Sequence, residues 1–209
     1  VSRATLHNQD FINDLDIGIG DTILVYKSGE IIPKVKEVLH DKRPAGVKTF
    51  VIPDKCPVCG APTYREENTA DIKCSSATCP AQLERHIINF VGRDAMDIKG
   101  FGTAYIEELI HQDYLHDIAD IYGLYEYRDE LIEKGILGKE KNTDKLLGVI
   151  EASKENDAYR LLTGLGIPGI GKAAAKSLLD YFGSIDAVAK AEPEKLVEVN
   201  DIGEISAKA

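Results

Sequence analysis

Residues 56–60 read Cys56-Pro57-Val58-Cys59-Gly60; fourteen residues separate Cys59 from Cys74, and the pattern closes with Cys74-Ser75-Ser76-Ala77-Thr78-Cys79-Pro80. Two close cysteine pairs at this separation can set four thiolates at the corners of a tetrahedron. Zinc accepts that geometry without redox chemistry, and four protein ligands leave no position open for water, so such a site is structural. Gly60 allows the chain to turn beneath the metal, where backbone amides can donate to the sulfurs. Disulfides, an iron site of the same ligand type and unligated thiols are the competing readings. A short polar module of this kind buries little core, so metal binding is expected to supply much of its folding energy.

The text on either side of the cysteines differs. Upstream it reads as strands: Ile23–Tyr26 after a Gly20-Asp21 turn, Ile31–Leu39 around Val35 and Val38 with Pro33 signalling an edge or bulge, and Val47–Ile52. Lys27–Glu30 is a hairpin candidate. Asn8 caps a short helix running to Leu15. Short strands with one small helix suit a small β-barrel such as the oligonucleotide/oligosaccharide-binding (OB) fold.

Downstream the chain turns helical and is punctuated by glycine. Ile98-Lys-Gly100-Phe-Gly102-Thr103 leads into Ala104–Ile110. Ile167-Pro-Gly169-Ile-Gly171-Lys172 leads into Ala173–Phe182. Val199-Asn-Asp-Ile202-Gly203 leads into Ile205–Ala209. A fourth candidate, Ile136-Leu-Gly138-Lys139, precedes Lys145–Lys154 but lacks the second glycine. Glycine lets a phosphate approach the backbone, and the helix that follows offers unpaired N–H groups and the positive end of its dipole. Gly100, Gly102, Gly169, Gly171 and Gly203 are therefore candidate phosphate contacts, with Lys172 adding one charge-assisted bond. A dinucleotide-binding turn needs a strand before it, and Arg160–Leu165 reads as helix. His7, His40, His86, His111 and His116 show no ligand or triad spacing, and Tyr122, Tyr125 and Tyr127 read as a packed helix edge.

Charge is consistent with a grip made by backbone rather than by cations. The net charge is −10, which excludes a simple basic nucleic-acid binder. The first 52 residues are balanced at seven acids and seven bases, and nearly all the excess acid lies beyond residue 85. Within that acidic part, Ala158–Asp180 carries Arg160, Lys172 and Lys176 against Asp180 alone. No apolar run is long enough to span a membrane. No leader opens the chain, which starts at Val1 rather than Met and so reads as a piece of a longer protein. A reducing cytoplasm is the expected setting, because the cysteines read as metal ligands.

These strings resemble the bacterial NAD-dependent DNA ligases along essentially the whole chain. Val1-Ser-Arg-Ala-Thr-Leu-His-Asn8, Asp16-Ile-Gly-Ile-Gly-Asp21 and Gly29-Glu-Ile-Ile-Pro-Lys-Val35 resemble that family's OB domain. Cys74-x4-Cys79-Pro-Ala-Gln-Leu83 resembles the end of its zinc finger, and Asn89–Ile98 the entry to its helix-hairpin-helix domain. The resemblance implies a multidomain chain of mixed α and β. Its parts are an OB-type barrel over 1–52, a four-cysteine zinc finger over 53–85 with Cys56, Cys59, Cys74 and Cys79 as ligands, and an all-α tandem helix-hairpin-helix domain over 86–209. It implies a monomer that wraps nicked double-stranded DNA in replication and repair. Arg3, Lys27 and Gly29, within the turn Ser28–Glu30, would face DNA from the barrel. NAD+ and Mg2+ or Mn2+ would serve the full-length enzyme outside this chain, because no Lys-x-Asp-Gly motif for an adenylated lysine occurs here. The piece alone is expected to be inactive as a ligase. Gly18 stands where the family often has arginine, and Lys27-Ser-Gly-Glu30 where it often has Arg-Ala-Gly-Asp. The chain is expected to lack all or part of the barrel's first strand and the family's terminal BRCT domain. The alternative is a non-enzymatic DNA-binding module, or an accessory part of another helix-hairpin-helix repair protein.

Overall fold

A computed structural model describes residues 1–27, 32–65 and 69–208. The chain forms two compact units, Val1–Cys79 and Pro80–Ala209. Among the described residues no helix is long and apolar enough to cross a membrane.

The first unit opens with helix α1 (Gln9–Leu15). Asn8 caps it, its side chain accepting from the Phe11 N–H at 3.0 Å. Asp16 ends it in the left-handed region at φ +48°. Strands β1 (Ile23–Tyr26) and β2 (Lys34–Val38) pair antiparallel, with Leu24 opposite Glu37 but Val25 opposite Val35. Lys36 is the extra residue of a bulge. The bulge resets the alternation, so that Val35 and Val38, three apart, are both buried with Ile12 and Ile17. Pro33 lies just before β2, and its carbonyl accepts the Thr5 N–H at 3.1 Å.

The expected strand at Val47–Ile52 is not formed. Gln9 takes the place of a neighbouring strand: its amide nitrogen donates to the Phe50 carbonyl at 2.9 Å, and its amide oxygen accepts from the Ile52 N–H at 2.7 Å. The Phe50 N–H donates to the Ile17 carbonyl at 2.8 Å. The segment also passes so close to Gly18 that a Cβ there would meet the Lys48 carbonyl. A side chain in place of Gly18 would displace this segment.

Strands β3 (Thr63–Arg65) and β4 (Ile72–Cys74) make a second antiparallel ribbon, Thr63 opposite Cys74. Arg65 grips Asp10 of α1 with two bonds of 2.8 and 2.6 Å, tying the ribbon to the helix.

The second unit is helical: α2 (Pro80–Val91), α3 (Thr103–His111), α4 (Arg128–Lys134), α5 (Glu140–Ala152), α6 (Ala158–Gly164), α7 (Lys172–Phe182), and the short α8 (Ile185–Ala189), α9 (Pro193–Leu196) and α10 (Glu204–Lys208). Pro80 starts α2, where its missing N–H costs nothing. Two apolar clusters fill the unit. One gathers Ile87, Phe90, Phe101, Leu109, Leu137 and Leu146 among others; the second gathers Leu162, Ile170, Ala175, Leu178, Val199 and Ile202. The halves are locked at Gly164, where an added Cβ would meet the Phe90 ring at 2.8 Å. Nearby, Asn89 donates to the Gly164 carbonyl at 3.3 Å, and Arg160 donates to the carbonyls of Arg93 and Ala95 at 3.1 and 2.6 Å. The tyrosine run lies in a 3-10 segment, Ala119–Tyr127. Tyr122 stacks edge-on with Phe90 and Tyr127 with Tyr114, while Tyr125 is exposed.

Candidate metal centre and nucleic-acid interface

The knuckle at Cys56–Gly60 is a tight turn. The Gly60 N–H donates to the Cys56 carbonyl at 2.9 Å, Gly60 holds φ +73°, and the Cys56 N–H donates to the Ala61 carbonyl at 2.8 Å. This folds Cys59 back over Cys56. The ribbon delivers Cys74 at the end of β4, and the Cys79 N–H donates to the Ser76 carbonyl at 3.3 Å to close the second turn. All four sulfurs come within 4.8 Å of one another. Cys59 and Cys74 Sγ are 3.4 Å apart, and Cys56 and Cys79 Sγ 3.9 Å. A tetrahedron with Zn–S bonds of about 2.3 Å has edges of about 3.8 Å, so the donor set fits one zinc ion.

Amides feed the site. The N–H groups of Cys59 and Val58 donate to the Cys56 sulfur and draw its thiol down to about 6. At Cys59 the Ala61 N–H pulls the same way, but desolvation and the three neighbouring sulfurs prevail and push it up to about 12. Four thiols sharing one small volume cannot all ionise unaided, and a divalent cation removes that conflict.

In the second unit the hairpins share one design. The N–H groups of Phe101, Ile170 and Ile202 donate to the carbonyls of Ile98, Ile167 and Val199 at 3.3, 3.0 and 3.2 Å. The third residue of each turn has positive φ: Gly100 at +90°, Gly169 at +80°, Asp201 at +69°. The fourth residue drives into a core: Phe101, Ile170, Ile202. The fifth is Gly102, Gly171 or Gly203, all exposed and with nothing within 4 Å of an added Cβ. Gly102 and Gly171 are the N-caps of α3 and α7, so the amides that follow have no acceptor inside the helix. The segment at Gly138 is built differently. There Gly138 closes a turn by donating to the Gly135 carbonyl at 3.1 Å, and Lys139 takes the cap position of α5.

Gly169 has a further constraint that its spacing did not reveal: a Cβ there would strike Ser206 of α10. Lys172 opens α7, and with Lys176 and Arg160 it surrounds the Tyr159 ring, their charged groups 5.9, 4.6 and 5.7 Å from its centroid. None of these three cations has a carboxylate partner among the described residues. The sequence flagged the local excess of base here but not its gathering on Tyr159. Arg3 and Lys27 are exposed on the first unit, while Gly29 and the turn Ser28–Glu30 lie outside the described residues.

Comparison with known proteins agrees with this layout. Residues 1–47 match the NAD-dependent DNA ligase OB-fold domain, residues 55–81 the NAD-dependent DNA ligase C4 zinc finger domain, and residues 160–209 a helix-hairpin-helix motif. A DNA ligase of Clostridium kluyveri is 50% identical over 97% of this chain, one of Clostridioides difficile 46% over 100%, and one of Bacillus licheniformis 44% over 100%. The chain spans 31% of the length of each of these relatives. By this similarity, which runs through the OB-fold, zinc-finger and hairpin regions, the chain belongs to the family of NAD-dependent DNA ligases.

Proposed function

We propose that this chain is the DNA-clamping part of an NAD-dependent DNA ligase that seals nicks between 5′-phosphate and 3′-hydroxyl ends of duplex DNA. The observation that carries the reading is the repeated hairpin: a positive-φ turn, a buried anchor, then an exposed capping glycine with open space before it. That arrangement supports phosphate binding by backbone amides, which an acidic chain can offer without a basic face. Gly100 and Gly169 set the turns, Gly102 and Gly171 present the amides, and Lys172 adds charge, with Gly203 as the third cap. Arg3, Lys27 and Gly29 would meet DNA from the barrel. Cys56, Cys59, Cys74 and Cys79 hold a structural zinc ion; with no open ligand position it fixes the module's shape and supplies no catalysis. We divide the chain into a barrel over 1–52, a zinc finger over 53–85 and a hairpin domain over 86–209. The adenylated lysine, NAD+ and the catalytic Mg2+ or Mn2+ belong to the full-length enzyme outside this chain, which acts as a monomer in the bacterial cytoplasm.

Anisotropy of a labelled nicked duplex, with sealing assayed in parallel, tests the reading. The zinc-loaded chain should bind the duplex without NAD+ and seal nothing. Absence of binding overturns the clamp, and sealing by the chain alone overturns the assignment of chemistry elsewhere.

A further inference from the structure

The four sulfurs are unequally protected. Cys79 is 1% exposed and Cys56 8%, whereas Cys74 is half-buried and Cys59 lies open to solvent. Cys59 stands at the tip of the knuckle between Val58, itself 59% exposed, and Gly60, which has nothing within 4 Å of an added Cβ. The two accessible sulfurs are also the closer pair, 3.4 Å against 3.9 Å for the protected pair. Covalent bonding at about 2.05 Å needs the accessible pair to close by only about 1.4 Å.

We propose that Cys59 and Cys74 form an oxidisable edge of the metal site, which a hydroperoxide closes into a disulfide with loss of the metal. The inference rests on the reading of the site as a zinc centre. In the metal-loaded site all four sulfurs are held as thiolates, so access rather than acidity sets the order, and the peroxide oxygen is attacked first by the Cys59 sulfur. The O–O bond breaks, leaving sulfenic acid on Cys59 and, from hydrogen peroxide, hydroxide that takes up a proton. The Cys74 thiolate then attacks the Cys59 sulfur; the S–S bond forms, the S–O bond breaks, and a second hydroxide leaves and is protonated. Two thiolates, one peroxide and two protons give one disulfide and two waters. Cys56 and Cys79 remain as thiols, too few to retain zinc against a chelator. The new link joins the knuckle to β4, so a thiol reductant and fresh zinc restore the site. The centre thereby becomes a peroxide-responsive release point for the module it shapes.

The test uses the wild-type zinc-loaded chain, avoiding variants that would not fold. Metal content is measured first. Stoichiometric hydrogen peroxide is then added with a chromogenic chelator present, and disulfides are mapped by mass spectrometry after alkylation. A parallel pulse of N-ethylmaleimide on the unoxidised protein reports the order in which the thiols react. The expected result is loss of one zinc equivalent, a Cys59–Cys74 disulfide, first alkylation at Cys59, and recovery with dithiothreitol and zinc. With zinc bound at the outset, a first attack at Cys56 or Cys79, a different pairing, or zinc retained under peroxide overturns the oxidisable edge alone. No zinc bound at the outset overturns the metal reading itself.

Discussion

Gly169 and Gly171 are two residues apart and do different things. Gly169 holds φ +80° and lies against Ser206, while Gly171 holds an ordinary φ of −89° and faces open space. Gly169→Ala is therefore expected to destabilise the second unit by about 1–2 kcal/mol from backbone strain alone, with more from the contact; urea denaturation measures it. Gly171→Leu replaces a good helix cap by a poor one and should cost about 1 kcal/mol in urea denaturation, without the left-handed strain, while weakening duplex binding. Unchanged affinity would remove the phosphate-contact role of that cap. A second residue-level expectation concerns acid. Asp21, whose side chain is fully enclosed, accepts from Arg43 at 2.7 and 2.8 Å and from the Gly18 N–H at 2.7 Å. Arg43 holds its carboxyl below the usual carboxylate range, with the Gly18 N–H acting the same way against desolvation. The stabilisation is complete above a pH of about 4 and is lost as pH falls through the lowered value. Asp21→Asn should flatten the low-pH limb of a melting-temperature profile; an unchanged limb would show that other groups govern it.

At the scale of elements, the third hairpin departs from the other two. Asp201 occupies the positive-φ position held by Gly100 and Gly169, and Glu204 follows the capping Gly203. Both carboxylates sit where phosphate is expected, and a non-glycine residue pays strain there. Asp201→Gly should raise stability by up to ~1 kcal/mol and strengthen duplex binding, read by urea melts and anisotropy; weaker binding would give Asp201 a positive role. The ribbon depends on metal in a way the hairpins do not. Strands of three residues, β3 and β4, have no apolar cluster of their own among the buried groups. Chelation should therefore abolish dispersed NMR signals from the knuckle and ribbon while those of the core around Ile87 and Leu109 persist.

For the whole molecule, the charge balance makes a quantitative demand. A net charge of −10, with the proposed phosphate contacts made mainly by backbone amides rather than by cations, implies a modest counterion release on binding. A plot of log affinity against log salt should have a slope corresponding to about two to four phosphates. A steeper slope would reveal a basic surface beyond Arg3, Lys27, Lys172 and Lys176. Removing zinc should also reduce duplex affinity by loosening the first unit. Intact affinity after complete chelation would make the metal irrelevant to binding.

Local chemistry was legible in the sequence. The cysteine spacing marked the four sulfurs that come together, Asn8 marked the cap of α1, and the Gly-x-Gly strings marked the turns before α3 and α7, because each depends on residues close in the chain. The sequence by itself therefore determined the order of modules, the donor set and the hairpin caps. Tertiary structure decided what depends on contacts between distant segments. Gln9 displaces an expected strand at Phe50, and Gly169 is needed for Ser206 as well as for its turn. Arg65 finds Asp10, and Lys176 joins Lys172 and Arg160 around Tyr159. It also decided which cysteines are shielded. The spacing treats the four alike, but burial of the surrounding chain leaves Cys59 open and encloses Cys79, and no local pattern encodes that difference.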